Sequence, residues 1–449
     1  MLAHLLLLVL TLCLAALGAA QLPAAPISLT LSPSQTGTPA NPPPTEVGKA
    51  IAAFHKGDLE GTLRWLQRAQ EEHKELAPAK VMLANIYFSN EQPAKGREAL
   101  EQAVVMHPAD PEPHLIFGDL AWRERRLSDA QVQYERGGQL TSKFTGSPER
   151  KRQLEIRALA GLGNVAEARG QIQAAHKYFS ALIALEPKHP HAHYRLGVVL
   201  FSQGRPDEAL AEFREAAKLL ETAPSAPLTL ADLYTRAGDA EKGQRWIEQA
   251  IDESPKDIRP LLAMARWQLE FRNDPQVAAE VVDRAAKLDS ESSEVRFFRG
   301  LIAWCQGDHT QAEKMFESIV LAEPGNATAN CYLAAVLAEQ NDADRRRRAW
   351  EVAQLAAATN ARAVDTAATL GWVAYHRGEL EQAEQQLQLA TSAGGVTRDT
   401  NYYLARTMFR RGQIAKAQQA LRQALAAEGL FIHLREAREW QKELGEPDS

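Results

Sequence analysis

The sequence predicts an all-α fold, a solenoid of about eleven helix–turn–helix repeats closed by a C-terminal capping helix. Three observations predict it. Gly163, Gly170, Ala175, Phe179 and Pro187 fall at offsets 0, 7, 12, 16 and 24, and the grid returns 34 residues later as Gly197, Gly204, Ala209 and Phe213. Taking the small residue of each first helix as anchor gives Ala50, Ala84, Gly118, Gly163, Gly197, Ala231, Ala265, Gly300, Ala334, Gly371 and Ala405, and seven of the ten intervals equal 34. No stretch off this grid is long enough to form a separate catalytic domain. A fixed period of this length marks units that bury their apolar faces by stacking.

Residues 1–20, MLAHLLLLVLTLCLAALGAA, have the form of a signal peptide: an apolar run, then Gly18-Ala19-Ala20 before Gln21. The alternative is an uncleaved N-terminal membrane anchor, although the run is shorter than the ~20 residues a span needs. Cys13 lacks the small preceding residue of a lipid-attachment site. Residues 21–45 contain seven prolines and no charge, a composition that predicts a disordered or extended linker. A Pro-rich docking ligand is its functional alternative.

Repeats 1–3 occupy 46–137 and repeats 4–11 occupy 153–429. In each unit the first helix (A) ends about seven residues past the anchor, often at Gly: Gly57, Gly170, Gly204, Gly238, Gly307, Gly378, Gly412. Glycine accepts positive φ without a steric penalty. The second helix (B) often opens with an acid, as in Asp207-Glu208, which suits the helix dipole. A small residue at offset 12 lets the helices approach, and a bulky one at offset 16 fills the space beside it. Departures are Thr62 at offset 12 of repeat 1, an extra residue read at the Asn273-Asp274-Pro275 turn of repeat 7, and about three extra residues around Asp342–Arg348. The last shift moves the helix-B alanine of repeat 9 to Ala349. Residues 138–152 hold an insertion, read as a longer helix plus loop, with a hinge as the alternative. In the tail, 430–449, Leu434, Ala437, Trp440, Gln441 and Leu444 keep helical spacing and predict the cap.

Small residues in helix A, Gly at the turn, Ala and an aromatic in helix B and a closing Pro together resemble the tetratricopeptide repeat family from about Glu46 to Ala427. The resemblance implies a right-handed superhelix whose concave groove is lined by helix A, at positions −3, +1, +4 and +5 from the anchor. Those positions place Trp122, Tyr194, Phe201, Trp304, Trp372, Tyr375, Tyr402, Arg406, Phe409 and Arg410 as candidate partner-binding residues. Phe54 and Phe88 join them, with Asp119, Asn164, Asp232 and Arg266 as polar handles. Aromatic and Arg side chains dominate interface hot spots, and the preferred cluster is Trp372, Tyr375, Tyr402, Arg406, Phe409 and Arg410. About half of these aromatics are expected to serve packing alone. The Lys/Asn clamp of relatives that bind chaperone tails is absent, because Asn164 has no matching lysines.

Nothing in the chain has the spacing of a catalytic set, so no enzyme activity and no cofactor are expected. The net charge of −6 argues against a nucleic-acid partner. His189, His191 and His193 are read as an inter-repeat turn, with a metal site as the minor alternative. Arg345–Arg348 are read as a solvated turn, or alternatively a dock for acidic partners or anionic lipid. Cys305 and Cys331 lie eight grid positions apart, ~12 Å along a helix, too far for a disulfide. The expected function is a non-enzymatic exported scaffold, periplasmic or secreted, binding a protein or extended peptide in its groove. The alternative is an assembly or docking subunit of a cell-envelope complex that uses its outer surface.

Overall fold

The computed structural model describes residues 45–444 except 221–222, 360–363 and 393–395. The leader, and the linker up to residue 44, lie outside the described residues. Contacts divide the chain into two units, Met1–Ala237 and Gly238–Ser449. The first holds α1 (Thr45–His55), α2 (Leu59–Glu72), α3 (Ala79–Ser89), α4 (Pro93–Met106), α5 (Glu112–Arg123), α6 (Leu127–Ser142), α7 (Pro148–Ala168), α8 (Ile172–Leu185), α9 (Pro190–Ser202), α10 (Pro206–Leu219) and α11 (Ala226–Arg236). The second holds α12 (Ala240–Glu253), α13 (Ile258–Trp267), a π-helical turn (Gln268–Arg272), α14 (Pro275–Leu288), α15 (Ser293–Cys305), α16 (His309–Ala322), α17 (Ala327–Glu339), α18 (Ala343–Thr359), α19 (Val364–Arg377), α20 (Leu380–Ser392), α21 (Arg398–Arg410), α22 (Ile414–Ala426) and α23 (Leu434–Glu443). Odd-numbered helices up to α21 are the A helices of successive repeats and even-numbered ones the B helices. Neighbouring A and B helices pack as hairpins within each unit. Among the described residues there is no strand, and no helix long and apolar enough to cross a membrane.

Volume is matched where the two helices of a hairpin meet. A Cβ built on Gly118, Gly163, Gly197 or Gly300 would lie within 2.5–2.9 Å of the ring of Tyr134, Phe179, Phe213 or Phe316. Each of these aromatics stands at offset 16 and is buried. Where offset 16 is Leu66, Leu100 or Leu421, the anchor is Ala50, Ala84 or Ala405, all fully buried. Gly371 opposite Leu387 is the exception, with a virtual Cβ 2.6 Å from Leu387 Cγ. The offset-12 residues Ala130, Ala175, Ala209, Ala312, Ala383 and Ala417 are buried, and Ala349 takes that role in repeat 9. Thr62 fits there because its hydroxyl donates to the Asp58 carbonyl at 2.7 Å, so its polar atom is satisfied inside the helix.

All seven turn glycines adopt φ between 67° and 84°. Repeats 2, 3 and 7 reach the same left-handed conformation with Glu91 (φ 56°), Arg125 (φ 60°) and Asn273 (φ 50°). The extra residue of repeat 7 is taken up inside helix A, not at the turn as the sequence suggested. It makes the π-helical turn Gln268–Arg272, closed by the Asn273 amide donating to the Gln268 carbonyl. Asp274 then caps α14, accepting from the Gln276 and Val277 amides at 3.1 and 3.0 Å.

The insertion between repeats 3 and 4 lengthens the two flanking helices and leaves a loop at residues 143–147, as the longer-helix-plus-loop reading expected. The helices α6 and α7 run for 16 and 21 residues, against 14 and 13 for α10 and α9. Arg150, in the first turn of α7, donates to both Asp110 oxygens at 2.8 Å and to Glu112 at 2.9 Å. The extended helix is thereby tied to the start of α5. The four-arginine run is also helical, which corrects its reading as a turn. It forms the N-terminal part of the 17-residue α18, where Arg345 bonds Glu313 of α16 at 3.1 Å and Arg348 pairs with Glu317.

Gly197→Ala is expected to lower the urea midpoint. Overpacking costs about 1–3 kcal/mol, more than the ~1 kcal/mol a helical Ala gains over Gly. Adding Phe213→Leu should recover part of that loss, which a double-mutant cycle would read as favourable coupling. Arg125→Gly should raise the midpoint by relieving about 1 kcal/mol of left-handed strain; a lower midpoint would count against that strain.

Candidate functional site

The aromatic helix-A residues of the second unit converge, but on a charged centre that composition did not reveal. Glu339, at the C-terminal end of α17, is buried with side-chain exposure of 9%. Its Oε1 accepts from His433 Nε2 and Trp372 Nε1, each at 2.7 Å. Its Oε2 accepts from Trp304 Nε1 at 2.7 Å and His309 Nε2 at 3.0 Å. Four donors fill both oxygens of one carboxylate. These contacts hold it well below the usual carboxylate range despite burial.

His433 lies between two carboxylates. Its Nδ1 donates to Asp399 Oδ1 at 2.6 Å while Nε2 faces Glu339. Both nitrogens must therefore carry protons, and the ring is an imidazolium. Glu339 and Asp399 push its pKa up to about 10 against the cost of burial. His309 is in the same position, since Nδ1 faces the Gly307 carbonyl at 3.0 Å and Nε2 faces Glu339. Two imidazoliums thus balance two carboxylates. The cage around His433 is aromatic. Tyr402 stacks on it (5.1 Å, 18°), while Trp304, Trp372 and Tyr403 present edges at 5.5, 5.8 and 5.4 Å. His376 stands edge-on to Trp372 at 4.4 Å; burial lowers its pKa to about 4, and its Nε2 makes no hydrogen bond.

His433 arrives on an irregular segment between α22 and α23. Asp399 also accepts from the backbone amides of Ile432 and His433 at 3.2 and 3.3 Å. Arg398 donates to the carbonyls of Ala424, Leu425 and Gly429, and its guanidinium lies 4.7 Å from the Phe431 ring centroid. Leu434, Ala437, Trp440 and Gln441 bury the apolar side of the cap, as their spacing predicted.

The preferred sequence cluster is therefore assembled, with the chain's own C-terminal segment against it. Trp304, Trp372, Tyr375 and Tyr402 are buried. Arg406 is half-buried with its guanidinium 4.9 Å from the Trp440 ring centroid. Phe409, 38% exposed, meets the edge of Trp440 at 5.4 Å. Arg410 is exposed and donates to the Tyr375 carbonyl at 3.2 Å. In the first unit Trp122, Tyr194 and Phe201 are half-buried. Phe201 packs edge-on against Tyr234 at 4.9 Å, and Tyr194 lies 5.5 Å from Phe213. Glu167, four past its anchor, bonds Arg195 at 3.1 Å through Oε1, while its Oε2 makes no hydrogen bond in the chain.

The sequence reading missed Glu339, Asp399, His309 and His433. Glu339 stands five past Ala334, a groove position, so a lone carboxylate in an apolar helix was the available signal. His433 lies off the repeat grid and offered none. The three histidines of 189–193 do not converge on a metal. His189 caps α9 by accepting from the Ala192 amide, and His193 bonds Glu212 and the Pro187 carbonyl at 2.6 and 3.0 Å. Among the described residues one trio, Glu46, Glu72 and His73, has ligand atoms within 4.8 Å. Its acids already pair with Lys49 and Arg68. Cys305 and Cys331 are free thiols that burial pushes up to about 12 and about 11.

The pH dependence follows from opposite shifts. His433, raised to about 10 in the fold, contributes stability that is complete below its ordinary ~6.5 and is lost as pH rises toward 10. His376, lowered to about 4, contributes stability present above ~6.5 and lost as pH falls toward 4. Glu339, lowered, loses its share only in stronger acid. Hydrogen-exchange protection over α15–α23 should therefore peak near pH ~6.5, and His433→Gln should flatten the alkaline side. An unchanged alkaline slope in that variant would refute the assignment.

Comparison with known proteins agrees with this architecture. A tetratricopeptide repeat model matches residues 81–138, 161–227, 263–319 and 299–358. Two further tetratricopeptide repeat models match 200–267, and 364–388 with 402–423. Together they account for more than half of the chain. Among solved structures, a tetratricopeptide repeat protein from Parabacteroides merdae is similar at 18% identity and TM-score 0.40, over 57% of this chain and 99% of that one. Yeast Tom70 is similar at 13% identity and TM-score 0.37, over 89% of this chain and 95% of that one. YrrB, described as a TPR protein with an unusual peptide-binding site, is similar at 22% identity and TM-score 0.27, over 44% of this chain and 97% of that one. No curated protein matches the sequence. The repeat grid, the hairpins it folds into and the family-model matches agree: the chain belongs to the tetratricopeptide repeat family.

Proposed function

We propose that this protein is an exported, non-catalytic scaffold that binds a protein or an extended peptide along the helix-A faces of its repeats. One observation carries the reading. In the second unit that face already holds an irregular stretch of chain, Phe431–His433, through ring contacts and a carboxylate that accepts two backbone amides. The same surface chemistry recurs in the first unit, where the described residues include no such irregular segment bonded to it. There Trp122, Tyr194 and Phe201 are half-buried, and Glu167 keeps one carboxylate oxygen unbonded. Burial raises the Glu167 pKa, so a donor from a bound chain would stabilise its ionised form. Rings beside an unsatisfied acceptor suit a partner that brings apolar side chains and backbone N–H groups. Export rests on the leader, residues 1–20, and on the Pro-rich spacer that follows it.

The test is crosslinking and mass spectrometry in the native host with full-length protein and the Tyr194→Ala/Phe201→Ala variant, checked for unchanged helicity. Partner crosslinks to α7, α9 and α11 should fall at least about tenfold, the loss expected when a ~1.4 kcal/mol contact is removed. Undiminished crosslinks would refute the first-unit face. N-terminal sequencing should find the mature chain starting near Gln21; an intact Met1 in a cytosolic fraction would refute export.

A further inference from the structure

The site beneath the C-terminal segment has the build of a receptor. Its two carboxylates come from different repeats, Glu339 from α17 and Asp399 from α21, and each takes one nitrogen of the same ring. Their side chains are only 9% and 12% exposed. Buried carboxylates of this kind tolerate a cation between them and penalise a neutral occupant, because unpaired buried charge is costly. Around them Trp304, Trp372, Tyr402 and Tyr403 form an aromatic cage, which also favours a cation. The occupant enters from outside the repeat grid as irregular chain. It is held by backbone as well as side-chain bonds, 94 residues from Glu339 in sequence.

We propose that this pocket is a binding site for a cationic side chain on a peptide. The chain's own Phe431–His433 segment is its tethered occupant, and a partner peptide carrying a basic residue competes with it. The proposal rests on the reading of the helix-A face as a peptide-binding surface. Tethering gives the resident segment a high effective concentration, so a free peptide enters only when the resident cation is removed or displaced. His433 stands in for the partner's Arg, Lys or His.

The experiment uses the full chain with His433→Ala, which removes the cation and leaves α23 in place. Probes are imidazole and methylguanidinium at pH 6, with pyrazole as a neutral ring of the same size. The variant's thermal midpoint should fall, and millimolar imidazole or methylguanidinium should raise it while pyrazole does not. The wild-type midpoint should respond to none. Rescue by pyrazole as well, or by no probe, overturns the proposal. If the variant does not fold, His433→Lys and His433→Gln replace it. Lys should keep a midpoint well above that of Gln, and equal midpoints overturn the proposal. For displacement, a synthetic peptide of residues 427–444 is titrated into a variant that lacks the resident cation, His433→Ala or, where that does not fold, His433→Gln. It should bind at least tenfold tighter than the same peptide carrying His433→Ala, and equal or absent binding overturns it. Failure of these arms with first-unit crosslinks still lost in Tyr194→Ala/Phe201→Ala removes this pocket and leaves the scaffold reading standing.

Discussion

The hairpins within each unit depend on one steric constraint, the close approach of helix A to helix B at a matched pair of volumes. In seven of them Gly stands with an aromatic ring or Ala with leucine, so the space between the helices stays nearly constant while its occupants change. Close packing leaves little tolerance on either side of that match. Fixing the anchor against helix B also fixes the rotation of helix A about its own axis. At ~100° per residue, the residues three before and one, four and five past each anchor form one flank beside it. The groove side chains are thus oriented by the anchor contact, and some of them, such as Tyr194 against Phe213, border it.

Features set by this repeated local demand were legible in the sequence. The period gave the hairpins, the small residues gave the packing contact, and the glycines gave seven left-handed turns. The cap was readable because Leu434, Ala437 and Trp440 keep helical spacing. What escaped was whatever happens only once. The extra residue of repeat 7 became a π-helical turn because the Asp274 cap fixes where α14 starts, leaving the preceding helix to absorb it. The arginine run became helix because Glu313 and Glu317, four apart on α16, present carboxylates to it. The site was half legible. Its rings sat at expected positions, but its charges did not follow from ring counting. His433 pairs with Glu339 across 94 residues, and no local pattern encodes that.

The site also shows how a face selected for aromatic character comes to be governed by electrostatics. Indole N–H groups that would otherwise need solvent are spent on Glu339. Two tryptophans therefore serve as polar ligands of a carboxylate while their rings wall in a cation. Burial strengthens each of these bonds and penalises the loss of any one. The pair Glu339 and Asp399 demands a cation more strictly than an exposed acidic patch would, because water cannot replace it.

Stacked-repeat proteins are quasi-one-dimensional: each unit touches its neighbours, and the ends fray independently of the middle. The carboxylate of Glu339 breaks that rule at one end of this chain. It gathers hydrogen bonds from repeat 8 through Trp304 and His309, from repeat 10 through Trp372, and from beyond repeat 11 through His433. A terminus that would otherwise peel away hairpin by hairpin is clasped to a point three repeats inside. Hydrogen bonds to one carboxylate therefore tie together repeats that are not sequence neighbours, and the free end of the stack is coupled to its interior.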